Sequence, residues 1–220
     1  MKTRLIISAI LIALIIQANA QTIPNAGFEN WTLQGGGYED PDNWTTNNMS
    51  NGVSVSKITD SHSGNYALQV INNYPGFEGP LTGFATFTFT DSNIVNKISA
   101  YVKCDSISGF GKGIISVAGY TGSTWQYIGN WETTSAIPQY VLIDIQLTPL
   151  IHFDSIAIYL VSLGPHDCLG QSTGYAALKV DDITEETISD VAEVNSIQIF
   201  SVFPNPVVNT AMLIFDYPTD

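Results

Sequence analysis

Basic residues are scarce in this 220-residue sequence. Seven Lys and Arg stand against 20 Asp and Glu, a formal net charge of −13, and Arg4 is the only arginine. A surface that tracks phosphates needs clustered Lys and Arg, so nucleic-acid binding is excluded. The same balance argues against docking on anionic lipid. Cysteines number two and histidines three, with no CxxC pair, no Cys/His cluster and no HExxH helix, so a zinc site is not expected. Only 12% of residues are charged, but 45% are hydrophobic and 11% aromatic, which excludes wholesale disorder. The chain is long enough for one domain with a sizeable core, plus tails.

Long apolar runs are also missing, apart from Leu5 to Ile16. That run follows Lys2 and Arg4 and ends in Ala18-Asn19-Ala20 before Gln21. It is shorter than the roughly 20 residues that span a bilayer. A positive start, a short apolar middle and a small-x-small exit make residues 1–20 a secretory signal peptide. Cleavage there would leave five lysines, no arginine and the same 20 acids, a net charge of −15. Without a bidentate guanidinium clamp, neutral ligands or cations suit the mature chain better than anions. No transmembrane segment is expected elsewhere.

From Val53 onward, β-branched and aromatic runs recur between Gly, Asn, Asp and Pro clusters. Strands are expected at Val53–Ile58, Tyr66–Ile71, Leu81–Phe89, Ile98–Lys103, Ile114–Tyr120, Trp125–Trp131, Tyr140–Leu147, Ser155–Ser162 and Tyr175–Ile183. Val141, Ile143, Ile145 and Leu147 share one parity, and Phe87 and Phe89 oppose Thr86, Thr88 and Thr90. A period of two marks half-buried antiparallel strands. Before residue 184 no helical period competes with it. The fold class is therefore all-β, an antiparallel β-sandwich of jelly-roll type. The domain is expected over 21–186, with an acidic linker over 187–197 and a further segment over 198–220.

Two stretches resemble known families. Asn25-Ala26-Gly27-Phe28-Glu29-Asn30-Trp31, Pro41-Asp42-Asn43-Trp44, His62-Ser63-Gly64-Asn65-Tyr66-Ala67-Leu68 and Val180-Asp181-Asp182-Ile183 occur in that order. The set resembles galactose-binding-like jelly rolls, which include many carbohydrate-binding modules. It is most similar to the carbohydrate metabolism domain of secreted Bacteroidetes proteins, and the resemblance covers about residues 23–186. At the other end, Pro204-Asn205-Pro206 follows an apolar run and precedes Ala211 to Phe215. This resembles the start of the C-terminal sorting domain of the type IX secretion system. It implies a partner in the secretion machinery and a position outside the cell or on its outer surface, reached through the periplasm. Such domains usually continue for several more strands, so the sequence is expected to be a piece of a longer chain.

The chemistry-bearing residues divide into four groups. Cys104 and Cys168, in an oxidising compartment, are a candidate disulfide, and closing so long a loop would stabilise by roughly 4 kcal/mol. Glu39, Asp40 and Asp42 form the densest acidic cluster; they could serve glycoside hydrolysis, an oxygen-rich calcium site or a solvated turn. The resemblance implies a structural calcium ion between the N-terminal segment and the last strand, with Glu29, Asp181 and Asp182 as ligands. Alternation lets only one of the two aspartates face such an ion; alternatively Glu29 caps an edge and the aspartates end a strand in water. Finally, Trp125, Tyr127 and Trp131 share one parity, with Tyr120 just before the intervening turn. That row is either a platform that stacks on sugar rings or part of the core between sheets.

His62 reads as a turn residue and His166 as a loop residue. The sequons Asn30-Trp31-Thr32, Asn43-Trp44-Thr45 and Asn48-Met49-Ser50 are coincidental in an Asn- and Thr-rich chain. The function expected is a non-catalytic module at the cell surface that binds carbohydrate. Its rivals are an adhesive or structural surface protein without a sugar site, and a glycoside hydrolase.

Overall fold

A computed structural model describes residues 23–72, 82–164 and 174–188, together with Val202–Phe203 and Met212–Leu213. The expected signal peptide, Cys168, His166 and the Pro204-Asn205-Pro206 motif lie outside the described residues. The chain divides between Thr187 and Ile188 into two units.

In the first unit β1 (Trp31–Leu33) and β2 (Glu39–Pro41) form a small hairpin. Ten further strands follow: β3 (Thr45–Thr46), β4 (Val55–Ile58), β5 (Ala67–Ile71), β6 (Gly83–Phe89), β7 (Ile94–Gly109), β8 (Lys112–Thr121), β9 (Thr124–Thr133), β10 (Ile137–Gln146), β11 (Ser155–Leu163) and β12 (Gly174–Ile188). They build two antiparallel five-stranded sheets, ordered β10-β7-β12-β5-β4 and β3-β6-β11-β8-β9. No helix occurs among the described residues. In the second unit β13 (Val202–Phe203) pairs antiparallel with β14 (Met212–Leu213).

Alternation explains the core. Ile98, Ala100, Val102 and Cys104 of β7 point inward, as do Ile156, Ile158 and Leu160 of β11 and Leu178 and Val180 of β12. Ile145 and Leu147 are buried as their shared parity demands, and Ile143 packs against them, while Val141 lies 40% exposed on the edge strand β10. Phe89 is buried and Phe87 packs beside it. Trp44 joins the core between Phe28 and Phe87, with ring centroids 5.2 and 5.5 Å away. Trp31 packs against the core as well and donates from Nε1 to the Phe28 carbonyl at 2.6 Å. Cys104 is free and buried, and burial pushes its thiol up to about 11.

Strand lengths differ from expectation at both ends of the long strands. β7 runs from Ile94, and β12 continues to Ile188, two residues into the expected linker. Along this extension Lys97 pairs with Glu186 at 2.7 Å, and Asn96 donates to the same carboxylate at 3.1 Å.

The outward face of the first sheet carries an ion network. Lys179, buried in β12, reaches Asp60 at 2.7 Å and Asp105 at 2.8 Å, and Lys103 reaches Asp60 at 2.7 Å. Hydrogen bonds from Lys103 and then Lys179 hold the Asp60 carboxyl below its ordinary value of 3.8, and Lys179 does the same for Asp105. Depressed carboxyls stabilise the folded state fully above their unfolded values and lose that contribution as pH falls through the folded ones. The melting temperature is therefore expected to drop below about pH 4. In Lys179→Met that acid limb should flatten; a limb equally steep in both proteins would remove the network as its cause.

Candidate functional site

Three places gather polar or aromatic side chains. The first is a clasp where the sequence motifs of the N-terminal half meet the last strand. Asp181 is fully buried, and its Oδ2 accepts the backbone N–H groups of His62 at 2.8 Å and Ser63 at 3.1 Å. Its Oδ1 accepts the N–H of Asp182 at 2.9 Å. Asp182 lies 2.7 Å from the His62 ring nitrogen and accepts from the Ser63 hydroxyl at 2.9 Å. Glu29 accepts the N–H groups of Asn65 and Tyr66 at 2.8 and 3.0 Å. The Tyr66 N–H, first among these, holds the Glu29 carboxyl low, whereas burial raises that of Asp181.

One feature of this clasp corrects the reading from alternation. Asp182 has φ 47°, so the chain leaves the extended conformation and both aspartates reach the same loop. Gly64, at φ 61°, is needed there because a Cβ would collide with the Glu29 carboxylate. Phe28 is also left-handed, at φ 51°, and is fixed by its N–H to the Asn25 carbonyl at 2.9 Å. Asn25 in turn accepts from the Asn30 N–H at 3.0 Å. The acids that the resemblance assigns to calcium accept N–H and O–H donors of the 62–66 loop and of Asp182. Among the described residues no group of three metal-ligating side chains converges.

The second place is the β1–β2 hairpin with its acidic cluster. Glu39 pairs with Lys57 at 2.9 Å. Asp40 accepts from Thr46 at 2.6 Å and Asn48 at 3.0 Å, and Asp42 from Thr32 at 2.7 Å. Each carboxylate thus ties one short strand to its neighbour. Gly170-Gln171-Ser172-Thr173-Gly174 has GxSxG spacing, but residues 170–173 lie outside the described residues and β12 begins at Gly174. A nucleophile elbow turns from strand into helix, so the match lacks its context.

The third place is the outward face of β9, β8 and β11. Tyr120 stands opposite Trp125, and Ala118 lies between Tyr127 and Ala157. In the next row Ser116 lies between Asn130 and Tyr159. Trp125 is 49% exposed and Tyr127 80%. The Tyr120 and Trp125 rings are 5.2 Å apart and tilted by 46°. A trough of about 110 Å³ runs between Ala118, Trp125, Gln126, Tyr127 and Tyr159.

The expected row of three aromatics is broken here. Gly129 pairs with Val117 but Tyr127 with Ala118, so Ile128 is the extra residue of a β-bulge. One extra residue exchanges the two faces of the strand. Trp125 and Tyr127 consequently face outward, Ile128 is buried, and Trp131 lies opposite Ile115 and packs against the core. Tyr159, unnoticed in the sequence, joins the face because β11 lies beside β8. Parity alone could not have found it.

No family model matches the sequence, and no curated protein matches it. Solved structures do. A candidate glycoside hydrolase from Bacteroides thetaiotaomicron superposes with a TM-score of 0.51 at 10% identity, over 75% of this chain and 71% of that one. TmCBM61 in complex with beta-1,4-galactotriose gives 0.49 at 14% identity, over 77% and 100%. The CBM22-1 xylan-binding domain of Paenibacillus barcinonensis Xyn10C gives 0.45 at 19% identity, over 76% and 94%. At 10% identity the first likeness is one of fold, a β-sandwich.

The clasp yields a direct expectation. Asp181→Ala leaves the N–H groups of His62 and Ser63 without their acceptor and should cost about 1–3 kcal/mol, measured by denaturant unfolding. If hydrogen bonds alone anchor the loop, excess chelator should leave the wild-type melting temperature unchanged. A fall would return calcium to the site.

Proposed function

We propose that the protein is a non-catalytic carbohydrate-binding module that holds a glycan on the outward face of β9, β8 and β11. The observation that carries this reading is the pair Trp125 and Tyr127, both exposed on one face of a sheet beside a shallow trough. Large rings left in water on a rigid strand are costly unless a partner covers them. A pyranose is a suitable partner, since its C–H face stacks on the ring while its hydroxyls stay available to amides and other hydroxyls. Asn130, Ser116 and the Tyr159 hydroxyl supply such groups around the rings.

The ligand class is neutral. Lys112, at the start of β8, is engaged by Glu132 at 3.1 Å, and the acidic chain would repel uronate or sulfated polymers. The non-catalytic part of the reading is supported by the employment of Glu39, Asp40 and Asp42, each of which fastens a strand. Export fits the same reading. A polysaccharide outside the cell is met by a protein that carries a signal-peptide pattern at one end and a sorting-domain pattern at the other.

The test is a binding screen of soluble and insoluble neutral polysaccharides. Trp125→Ala should weaken saturable binding at least tenfold, about 1.4 kcal/mol, with the fold retained, since half of the side chain already lies in water. A folded protein that binds no glycan would overturn the reading in favour of an adhesive or structural surface protein.

A further inference from the structure

Resting on the carbohydrate reading, we infer that Tyr127 divides two sugar compartments and that the β-bulge at Ile128 builds the second of them. The 110 Å³ trough on the Trp125 side is the first. On the other side of Tyr127 lies a wider depression of about 460 Å³, lined by Ser116, Tyr127, Ile128, Gly129, Asn130 and Thr148. Its volume falls in the range of small-molecule sites, about 300–1,000 Å³. Tyr127 borders both hollows and is the most exposed large apolar side chain of the described residues.

The bulge accounts for the second hollow in three ways. It turns Tyr127 outward while burying the neighbouring Ile128. It leaves the Ile128 carbonyl outside the ladder, where it accepts the N–H of Thr148 at 2.8 Å, and this brings Thr148 alongside β9 as a wall. It also brings Gly129 against the inward side chains at the end of β10. A Cβ at Gly129 would meet Leu147 Cδ2 at 2.6 Å and Ile145 Cγ2 at 2.8 Å, so only glycine allows the approach.

The polar chemistry of the hollow is fixed too. The Ser116 hydroxyl donates to Asn130 Oδ1 at 2.7 Å, which sets the amide orientation. Asn130 Nδ2 then keeps both its hydrogens, since it donates to no group among the described residues. An oriented amide donor beside an exposed ring suits a sugar hydroxyl next to a stacked pyranose. The predicted ligand is therefore the interior of an extended neutral chain that straddles Tyr127. A single terminal sugar would occupy one hollow only.

Calorimetric titration with cello-, xylo-, manno- and β-1,4-galacto-oligosaccharides, monomer through hexamer, tests this. In the series that binds, affinity should rise at least tenfold once the chain is long enough to cross Tyr127. Asn130→Ala and Thr148→Val, both at exposed positions, should abolish that rise and leave the shortest binding oligosaccharide unaffected. Trp125→Ala should weaken every length. Affinity independent of length would overturn the two-compartment inference while leaving the carbohydrate reading intact. So would an Asn130→Ala variant that keeps the wild-type rise or weakens all lengths alike. Absence of binding in all four series, with no polysaccharide bound either, would instead overturn the reading on which it rests.

Discussion

Asp181 holds an ionisable carboxyl at zero exposure in the strand next to β5 and β7, and three backbone N–H groups surround it. Removing a carboxylate from water costs several kcal/mol. Hydrogen bonds to a charged acceptor contribute about 1.5–3 kcal/mol each, so the three offset part of that cost, and burial still leaves the carboxyl raised. The arrangement works only if the loop at 62–66 stays in place. Glu29 secures its other side through Asn65 and Tyr66. One cluster of acids therefore joins the first residues of the domain, an early loop and the last strand. Non-local closure of this kind is what a sandwich with a high share of distant pairings requires.

Strain collects at the same place. Phe28 and Asp182 both adopt left-handed backbone, which costs a bulky or branched residue of order 1–3 kcal/mol. Phe28 is compensated by complete burial against Trp44, and Asp182 by its partners His62 and Ser63. His62 also stacks on Tyr101 with centroids 3.4 Å apart. The Asn-x-Gly-Phe-Glu and His-Ser-Gly patterns thus have a structural explanation: each residue supplies a cap, a turn or a core contact. The face proposed for recognition lies elsewhere, on the second sheet.

That second sheet shows how little is needed to make a surface from a core pattern. A strand with aromatic residues at every second position would bury them all. The single additional residue at 128 divides the strand, so its first half presents rings to solvent and its second half fills the sandwich. Small residues at 116, 118 and 157 keep the neighbouring strands low enough for hollows to form beside the rings.

How much of this was legible in the sequence follows from which signals are local. Alternation is local, and it determined the all-β class and the inward sides of β6 and β10, where Phe89, Ile145 and, just past β10, Leu147 are buried. The acidity and the scarcity of arginine argued against anionic ligands. The order of four short motifs pointed to their meeting without saying why they meet. What the tertiary structure decided depended on pairing partners and backbone angles that no residue spacing encodes. The left-handed turn at Asp182 brings both aspartates to one loop, and the bulge at Ile128 reverses a face in mid-strand. The register of β11 against β8 brings Tyr159 to the aromatic face. A period of two carries information only while the ladder is regular, and at both places of interest in this protein it is not.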